Sequence, residues 1–318
     1  MLRFASSLLA CLLTLVPPAK SQEFTRPVRI VMGFGAGGLA DISGRVIAEA
    51  MSKSIGQPVI IENMPSAGAA NAALSVARAA PDGHTMLLVS GQNAIAPSMF
   101  KALPYDWERD FSPIGPIATF DFVLFVAKDS PLKSVKDVIE AARKNPEKFN
   151  FGTISVGSAQ YLAARMFVSM TGLGVPTIPF RTTGDVVTGL LSGNVQAAFE
   201  TIPGIIGQIN GGSLRAIAVS SKRVPFWPEV QTISEAGVPG YLAYSWNGMV
   251  LPAKTPKDMV MRLNDEMNKA IAAPEVQKRF QELVLEARTG TPQDLQKIYE
   301  DDVVRWRQVV TEAKIGPN

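Results

Sequence analysis

The sequence contains one cysteine and one histidine, and this scarcity excludes several kinds of chemistry. The cysteine, Cys11, lies in an N-terminal segment that we expect to be removed, which leaves no thiol for a disulfide or a thiolate metal site. The histidine, His84, lies in the turn PDGH, and one imidazole supports neither a His-based triad nor a multi-histidine metal centre. No paired acid and base stands out either, so we expect binding without catalysis, no metal and no cofactor.

The chain also lacks an excess of one charge. It has 31 Lys and Arg against 28 Asp and Glu, a net charge of +3, and no block of basic residues. This balance argues against nucleic acid as a partner. With 47% hydrophobic residues among 318, the chain can bury a sizeable core as one large domain or two smaller ones.

The N-terminus has the features of a secretory signal. A short positive start is followed by the apolar run ASSLLACLLTLV over 5–16, by Pro17 and Pro18, and by small residues up to Ser21. The run is too short for a transmembrane helix, which needs about 20 apolar residues. We therefore predict a cleaved signal peptide over 1–21 and export of the mature chain, with lipidation of Cys11 as the alternative.

The rest of the chain alternates between predicted strands and helices. VRIVMGF over 28–34 is typical of a strand buried on both faces, and the helical stripe that follows it ends at Gly56. The alternation continues through 58–90 and again through 121–220, which predicts an α/β fold with a mainly parallel sheet. Two such blocks predict two lobes joined by a hinge, with a ligand cleft between them. The predicted division is lobe I over 22–123 and 250–318, and lobe II over 124–249.

The stretch VMGFGAGGLAD over 31–41 has three interpretations. Gly33, Gly35 and Gly38 match G-x-G-x-x-G between a strand and a helix, and Glu62 ends the next strand 24 residues after Gly38, as in a dinucleotide-binding unit. A bare backbone at a helix N-terminus is also suited to a carboxylate or a phosphate. A purely structural turn is the third interpretation. The predicted signal peptide argues against the dinucleotide, since nicotinamide cofactors are scarce outside the cytoplasm.

Several longer stretches carry a family resemblance: RPVRIVMGFGAGGLADISGRVIAEAMSKSIGQPVIIENMPSAGAANAA, APDGHTMLL, PSMFKALPYDWERDFSPI, GSAQYLAARMF and VQTISEAGVPGYLAYSWNGMVLPAKTP. Together and in this order they resemble the Bug family of periplasmic substrate-binding proteins, the receptors of tripartite tricarboxylate transporters. The resemblance implies a two-lobe periplasmic binding protein fold of type 2 that closes on one small carboxylate. It further implies a periplasmic monomer that delivers its ligand to membrane subunits.

The resemblance also implies where the ligand binds. The turn after the first strand is expected to hold one carboxylate through main-chain N–H groups and ordered water, and the turn over 153–158 is expected to close from the other lobe. The ligand-binding residues implied in this way are Phe34, Ala36, Gly37, Gly38, Asp41, Ser90, Gly91, Gln92, Thr153, Gly157, Ser158, Phe180, Thr182, Glu200 and Thr201.

Several side chains near these turns keep an alternative role. Phe34 can form a pocket wall or part of the core, and Asp41 can orient the loop or only complement the helix N-terminus. Arg181 can pair with a distal carboxylate of the ligand or lie in solvent. Glu200 can accept a hydrogen bond from a ligand hydroxyl or amine, or only hold a loop. Trp246 can stack on the ligand or pack between the lobes.

The chain departs from the family pattern at the turns. Ala36 replaces a proline, Leu39 and Ala40 replace small or hydroxylated residues, and Tyr161 stands where a histidine is usual. FRT over 180–182 replaces the common YKG. The lost hydroxyls favour an aromatic or less polar acid over a small hydroxylated dicarboxylate.

The function predicted from these patterns is capture of a small carboxylate, aromatic or dicarboxylic, for a tripartite tricarboxylate transporter. An exported dinucleotide-dependent enzyme that uses the glycine turn and Glu62 is one alternative. A ligand-binding sensor component is the other. Hinge closure on the ligand is expected for the first function and for the sensor.

Overall fold

The structure is a computed structural model that describes residues 24–312 and residue 315. The predicted signal peptide and the predicted alternative at Cys11 lie outside these residues and stay predictions. Within 24–312, no helix is both long enough and apolar enough to span a membrane.

The first part of the chain alternates strands and helices, as the apolar runs separated by glycine turns predict. Its elements are β1 (Val28–Met32), α1 (Leu39–Ile55), β2 (Val59–Asn63), α2 (Ala70–Ala77), β3 (Thr85–Ser90), α3 (Gly91–Met99) and α4 (Trp107–Asp110). Helix α1 ends at the predicted Gly56, which adopts the left-handed conformation (φ 74°) that caps a helix without steric cost.

The second part repeats the alternation, and the third is mostly helical. The second part contains β4 (Phe111–Ala127), α5 (Val135–Lys144), β5 (Phe151–Ile154), α6 (Ala159–Met170), β6 (Thr177–Phe180), α7 (Thr183–Leu191), β7 (Ala197–Thr201), α8 (Ile202–Asn210) and β8 (Leu214–Val219). The third contains β9 (Tyr244–Pro252), α9 (Lys257–Ala272), α10 (Pro274–Glu282), β10 (Glu286–Ala287) and α11 (Pro292–Glu312).

The strands form one curled sheet with two parallel groups. Its order is β2-β1-β3-β9-β4-β7-β5-β6, and both β8 and β10 pair with β4. Strand β1 runs parallel to β2 and β3, and β5 runs parallel to β6 and β7. The antiparallel strands β9 and β4 separate the two groups. The predicted α/β class is confirmed, but the predicted mainly parallel sheet is wrong: among the described strands four pairs are parallel and five are antiparallel, because β4 and β9 pair antiparallel with their neighbours. The two parallel groups define the two lobes.

Strand β4 belongs to both lobes. Its first part, up to Asp121, pairs with β9, and from Phe122 onward it pairs with β7 and β8. The sequence predicts a strand over 121–127, whereas β4 begins at Phe111 and includes Pro113 and Pro116, which are unusual inside a paired strand. The structure accommodates both prolines where the register with β9 shifts. The change of partner at 121–122 makes β4 one of the connections between the lobes, while the exact lobe boundaries stay a prediction.

Each lobe has its own apolar core. In the first, Ile47 and Met51 of α1 are fully buried in a cluster with residues of β1, β3 and α9. In the second, Phe151, Phe167 and Phe199 meet with ring centroids 5.6, 5.7 and 6.0 Å apart. The second cluster also contains residues of α3 and α11, so these two helices pack against the second lobe as well.

Helix α3 is not predicted by the sequence pattern, yet it places Gln92 at the end of β3. Pro97 inside the segment and its short length weaken the helical signal. The helix begins with a capping box: the Ser90 hydroxyl accepts from the Gln92 N–H at 3.1 Å, and the Asn93 side chain accepts from the Ser90 N–H at 3.0 Å.

Candidate functional site

A cleft of about 350 Å³ lies where the carboxyl ends of parallel strands from both lobes meet. Such strand ends are where open α/β sheets bind ligands. The lining residues are Phe34, Gly35, Ala36, Gly37, Gly38, Leu39, Ala40, Ser90, Gln92, Phe120, Ile154, Ala159, Gln160, Arg181, Thr182, Thr183, Gly184, Glu200, Thr201, Ser245 and Asn247. They follow or end β1, β3, β5, β6 and β7, or belong to the joining strands β4 and β9.

The N-terminus of α1 forms one wall of the cleft, and within the described residues no side chain caps it. Its cap position is Gly38, and the first intrahelical bond runs from the Ile42 N–H to the Gly38 carbonyl at 3.0 Å. By contrast, Ser158 caps α6 and Thr182 caps α7 with their hydroxyls. The leading N–H groups of α1 and its positive dipole end are therefore available to an anion in the cleft.

Asp41 holds this turn from behind without lining the cleft. Its carboxylate is buried and accepts from the Gly37 N–H at 3.0 Å, from Arg45 Nε at 3.0 Å and from Asn63 Nδ2 at 3.0 Å. Asn63 Nδ2 also donates to the Phe34 carbonyl at 3.1 Å. Burial acts to raise the pKa of Asp41, but the hydrogen bonds outweigh it and hold the pKa below the ordinary value of 3.8. Asp41 is therefore an ionised anchor of the loop.

Glu200 lies on the opposite wall, at the end of β7. The carboxylate is buried and accepts from Gln160 Nε2 at 2.8 Å, from the Thr201 N–H at 2.7 Å and from the Thr183 hydroxyl at 3.0 Å. Burial raises the pKa of the carboxyl, because these hydrogen bonds offset only part of its desolvation. Glu200 therefore joins α6, α7 and α8 at the cleft, as the loop-holding interpretation requires.

Arg181 provides the positive side chain of this wall. It is exposed and lines the cleft directly before α7. None of the ion pairs between residues of the described chain involves it. Its guanidinium is thus available to a second anionic group, while the α1 N-terminus faces the cleft from the other lobe.

Gln92 and Asn247 line the cleft from the central strands. Gln92 is buried, and its amide oxygen, in the orientation that satisfies its neighbours, accepts from Ala69 and Gly68 N–H groups at 3.1 and 3.3 Å. Asn247 on β9 is fully buried, and its Nδ2 donates to Ser43 Oγ of α1 at 2.9 Å. Both side chains are therefore held in place by the first lobe.

Most of the site residues predicted from the sequence come together in this cleft. Those that line it are Phe34, Ala36, Gly37, Gly38, Ser90, Gln92, Thr182, Glu200 and Thr201. Those that lie outside the lining are Asp41, Gly91, Thr153, Gly157, Ser158 and Phe180. Contact of any of them with a ligand stays a prediction.

The second predicted turn, over 153–158, mainly contacts other parts of the protein and contributes little to the cleft lining. A Cβ added at Gly157 would come 3.2 Å from a ring atom of Phe100, and Ser158 is occupied as the cap of α6. Thr153 is fully buried and does not line the cleft. Only Ile154, Ala159 and Gln160 of this region reach the lining.

Gly91 and Phe180 have packing roles beside the cleft. A Cβ at Gly91 would lie 2.6 Å from Ser245 Oγ, so the glycine permits close approach of α3 and β9. Phe180 fills the space over Gly189, where a Cβ would come within 2.5 Å of its ring. The glycines at 91 and 189 therefore leave the room that Ser245 and Phe180 occupy.

Trp246 and Glu62 both lie outside the cleft lining. Trp246 is fully buried and its Nε1 donates to Asp302 at 2.7 Å. It packs in an apolar cluster with residues of β1, α2 and β3, so it lies within the first lobe and not between the lobes. Glu62 accepts from Arg29 Nε at 3.0 Å on the neighbouring strand. The acidic residue of the dinucleotide interpretation is therefore engaged elsewhere.

The sequence interpretation missed several polar groups of the cleft. Gln160, Thr183, Ser245 and Asn247 line it, and none was singled out from the sequence. For Asn247 a signal existed, because a polar amide interrupts the otherwise apolar YSWNGMVLP strand. A polar residue fully buried in such a strand needs a partner, and a cleft can supply one.

Two α/β lobes joined by shared strands, with a cleft that receives strand ends from both lobes and an uncapped helix N-terminus, define a solute-binding protein of the periplasmic type. Residues 43–315 match the family described as "Tripartite tricarboxylate transporter family receptor" (TctC). The chain belongs to this family.

Solved structures give the same fold. The periplasmic binding protein BugD is 32% identical with a TM-score of 0.87, over 92% of this chain and 99% of that one. An R. palustris protein with adipate is 31% identical with a TM-score of 0.89, over 92% and 99%. MatC from Rhodopseudomonas palustris, with bound malate, is 29% identical with a TM-score of 0.84, over 90% and 99%. The Bug-family resemblance and the two-lobe fold are confirmed.

Proposed function

We propose that the mature chain is a periplasmic, non-catalytic receptor that captures a small dicarboxylate between its lobes. In this proposal the closed, monomeric complex delivers the ligand to the membrane subunits of a tripartite tricarboxylate transporter. The observation that carries the proposal is the uncapped N-terminus of α1, which borders the cleft behind a turn of small residues. That arrangement binds a carboxylate through main-chain N–H groups.

Arg181 supports a second carboxylate on the ligand. It lines the cleft from the lobe opposite α1, and a guanidinium binds a carboxylate through two parallel hydrogen bonds. The related proteins solved with adipate and with malate carry dicarboxylates, which agrees with two anionic contacts. Leu39 and Ala40 alone favour a less polar acid, whereas the lining as a whole, with Arg181, Thr182 and Thr183, favours a polar one.

Closure of the two lobes on the ligand follows from the shape of the site. Groups from both lobes border one cleft, so a ligand that contacts α1 and Arg181 together binds the closed arrangement more tightly than the open one. The hinge would lie where β4 changes its partners, at 121–122. A closed form is then the state that the membrane subunits distinguish.

A thermal-shift screen of the mature protein tests the proposal. Dicarboxylates, matched monocarboxylates, aromatic acids, NAD, NADP and FAD are compared. A ligand at 100 times its Kd adds about 2.7 kcal/mol to the free energy of unfolding. We expect stabilisation by dicarboxylates and none by dinucleotides, whereas stabilisation by a dinucleotide alone would refute the proposal.

A transport role and a sensor role predict the same ligand binding, so the two roles are distinguished by measuring ligand uptake. Deletion of the gene should abolish uptake of the labelled ligand by intact cells while leaving growth on other carbon sources unchanged. Unchanged uptake would favour the sensor. Recovery of the protein in the periplasmic fraction, shortened by about the first 21 residues, tests export.

A further inference from the structure

A second and larger cavity lies beside the strands that join the lobes. Its volume is about 1010 Å³, against about 350 Å³ for the cleft. One wall is the loop over 221–226, which follows β8 of the second lobe, and the other is the segment over 281–288 of the first lobe, which contains β10. We call this cavity the β4 groove, because Thr119 and Asp121 of β4 also line it.

Strand register separates the β4 groove from the cleft. Asp121 of β4 pairs with Tyr244 of β9, and both residues line the groove. The preceding residue, Phe120, pairs with Ser245, and both of these line the cleft. Since successive side chains of a strand point to opposite faces, the two cavities lie on opposite faces of β4. Phe120 also borders the groove, so one side chain contacts both cavities.

Apolar side chains form much of the β4 groove. Phe226 and Leu242 line it with 45% and 50% of their surface exposed. Val224 and Leu285 line it from opposite walls and are anchored in the apolar clusters of the second and the first lobe. Exposed apolar side chains that gather around one cavity mark a binding site, whereas scattered ones do not.

Val284 of the groove has a strained backbone. Its φ is 56°, a conformation that favours glycine and strains a β-branched residue. It follows the end of α10, where glycine is common, and the Leu285 N–H donates to the Phe280 carbonyl at 2.8 Å, as in a Schellman motif. The Val284 side chain lines the groove and packs against the apolar cluster of the second lobe. Strained residues of this kind cluster at functional sites.

The charged side chains of the groove leave one cation available. Lys222 Nζ donates to Glu286 at 2.8 Å, and Arg223 Nε donates to Glu235 at 3.0 Å. Arg288 lines the groove, is exposed, and takes part in none of the ion pairs between residues of the described chain. Its guanidinium can therefore bind one carboxylate through two parallel hydrogen bonds.

We propose that the β4 groove is a second binding site, for a hydrophobic monocarboxylic acid, and that its occupancy changes the affinity of the cleft for its own ligand. The apolar body of the acid packs against Phe226, Leu242 and Val284, and its carboxylate binds Arg288. Small-molecule sites of this size are mostly apolar, with a few polar groups that orient the ligand. The other carboxyl of the groove, Asp121, accepts from the Ser221 hydroxyl.

The coupling to the cleft follows from the two walls. Because they belong to different lobes, movement of the lobes changes the groove, and the Lys222–Glu286 ion pair now joins them at 2.8 Å. An acid that contacts both walls binds the open and the closed arrangement with different affinity, so it shifts the equilibrium between them. The coupling rests on the proposed closure of the lobes, whereas binding in the groove does not.

Calorimetric titration of the mature protein tests the site. The acidic probes are decanoate and 2-naphthoate, and decanol and 2-naphthol are the matched probes without a carboxylate. We expect at least one acid to bind, with one molecule per chain, and about tenfold tighter than its neutral counterpart. The Gly37→Leu variant should bind this acid equally well, because Gly37 lines the cleft and not the groove.

Variants assign the binding to the groove. Arg288→Gln should weaken the acid about tenfold and leave the neutral counterpart unchanged. Arg78→Gln is the control, since it removes another exposed arginine that lies outside the groove. Leu242→Ser should weaken the acid and the neutral probe alike, whereas Leu191→Ser, at a leucine that is 54% exposed outside the groove, should weaken neither.

The coupling is measured by titrating adipate and malate with and without the saturating acid. We expect the Kd of the dicarboxylate that binds to change about fivefold or more, and the Kd of the acid to change by the same factor in return. An unchanged Kd overturns the coupling.

The remaining outcomes separate this inference from the proposed function. Absence of binding by both acids, or equal binding by Arg288→Gln and the unaltered protein, overturns the groove site. Loss of acid binding in Gly37→Leu also overturns it, because the acid would then occupy the cleft. Binding of the acid in the groove without binding of any dicarboxylate overturns the proposed function and the coupling, but not the groove site.

Discussion

The carboxylate of Asp41 accepts the backbone N–H of Gly37 at 3.0 Å, so the first turn of α1 fixes the loop that precedes it. Gly37 itself gains no support from packing, since an added Cβ there would meet no atom within 4 Å. The buried Asp41 carboxylate, together with the Asn63 amide that donates to the Phe34 carbonyl at 3.1 Å, therefore holds the main-chain groups that we propose for anion binding. This arrangement separates the residue that shapes the site from the groups that touch the ligand.

Replacing Asp41 tests this separation. Asp41→Ala leaves the Gly37 N–H, Arg45 and Asn63 without their shared acceptor, and we expect the free energy of unfolding to fall by about 1–3 kcal/mol. Carboxylate affinity should fall as well. Arg45→Gln is the control, because it removes the partly exposed ion pair but keeps the carboxylate, and should cost less than about 1 kcal/mol. Unchanged affinity in Asp41→Ala, measured calorimetrically, would contradict the proposed role.

A bulky side chain at Gly37 should abolish binding while the fold remains intact. Gly37 adopts φ 81°, and the comparable Gly56 at the end of α1 adopts φ 74°, both in open space. Leucine at either position adds backbone strain of about 1–2 kcal/mol, so both variants should lose similar stability in urea. Only Gly37→Leu should lose ligand affinity, because only Gly37 lines the cleft. Equal affinities in the two variants would mean that the turn is structural.

Arg181 should separate dicarboxylates from monocarboxylates. Arg181→Gln removes the positive group opposite α1, and we expect affinity for a dicarboxylate to fall by about 1.5–3 kcal/mol in free energy. A monocarboxylate of equal length should lose little, and thermal stability should not change because the side chain is exposed. Arg181→Lys should recover part of the loss, since it restores charge without the bidentate geometry. Equal weakening of both ligand types would disprove a distal contact.

The buried Glu200 should give the protein a specific pH response. Because burial raises the pKa of its carboxyl in the folded state, its contribution to stability is complete below the unfolded pKa near 4.5 and is lost as pH rises through the folded pKa. Glu200→Gln removes this titration. The difference in unfolding free energy, unaltered protein minus variant, should therefore decrease as pH rises from below 4.5. A difference that grows with pH would contradict a raised pKa of Glu200 in the folded state.

Asp41 gives the opposite pH response and serves as a comparison. Its folded pKa lies below 3.8, so its stabilising contribution is present above that value and is lost as pH falls through the folded pKa. Denaturation curves of Asp41→Ala and Glu200→Gln should thus differ from those of the unaltered protein in different pH ranges. The two carboxylates line or support the same cleft, yet burial dominates one and hydrogen bonds dominate the other.

Local features of the sequence predicted the elements that depend on neighbouring residues. The glycine turn before α1 and the left-handed stop at Gly56 belong to short stretches whose backbone conformation is set by their own residues. The strand over 111–120 was not predictable in this way. Pro113 and Pro116 are tolerated there only because β9 pairs across two irregularities, and β9 lies far away in the chain.

The candidate site shows the same division between local and distant causes. The sequence by itself determined an α/β chain, a bare backbone at a helix N-terminus and a family whose members bind small solutes. Only the tertiary structure decided which side chains face the cleft: it directs Gly157 toward Phe100, commits Ser158 to a cap, and brings Asn247 against Ser43 with one oxygen unpaired. The physical reason is that strand pairing sets which face a residue presents, and that pairing joins segments that no local pattern relates.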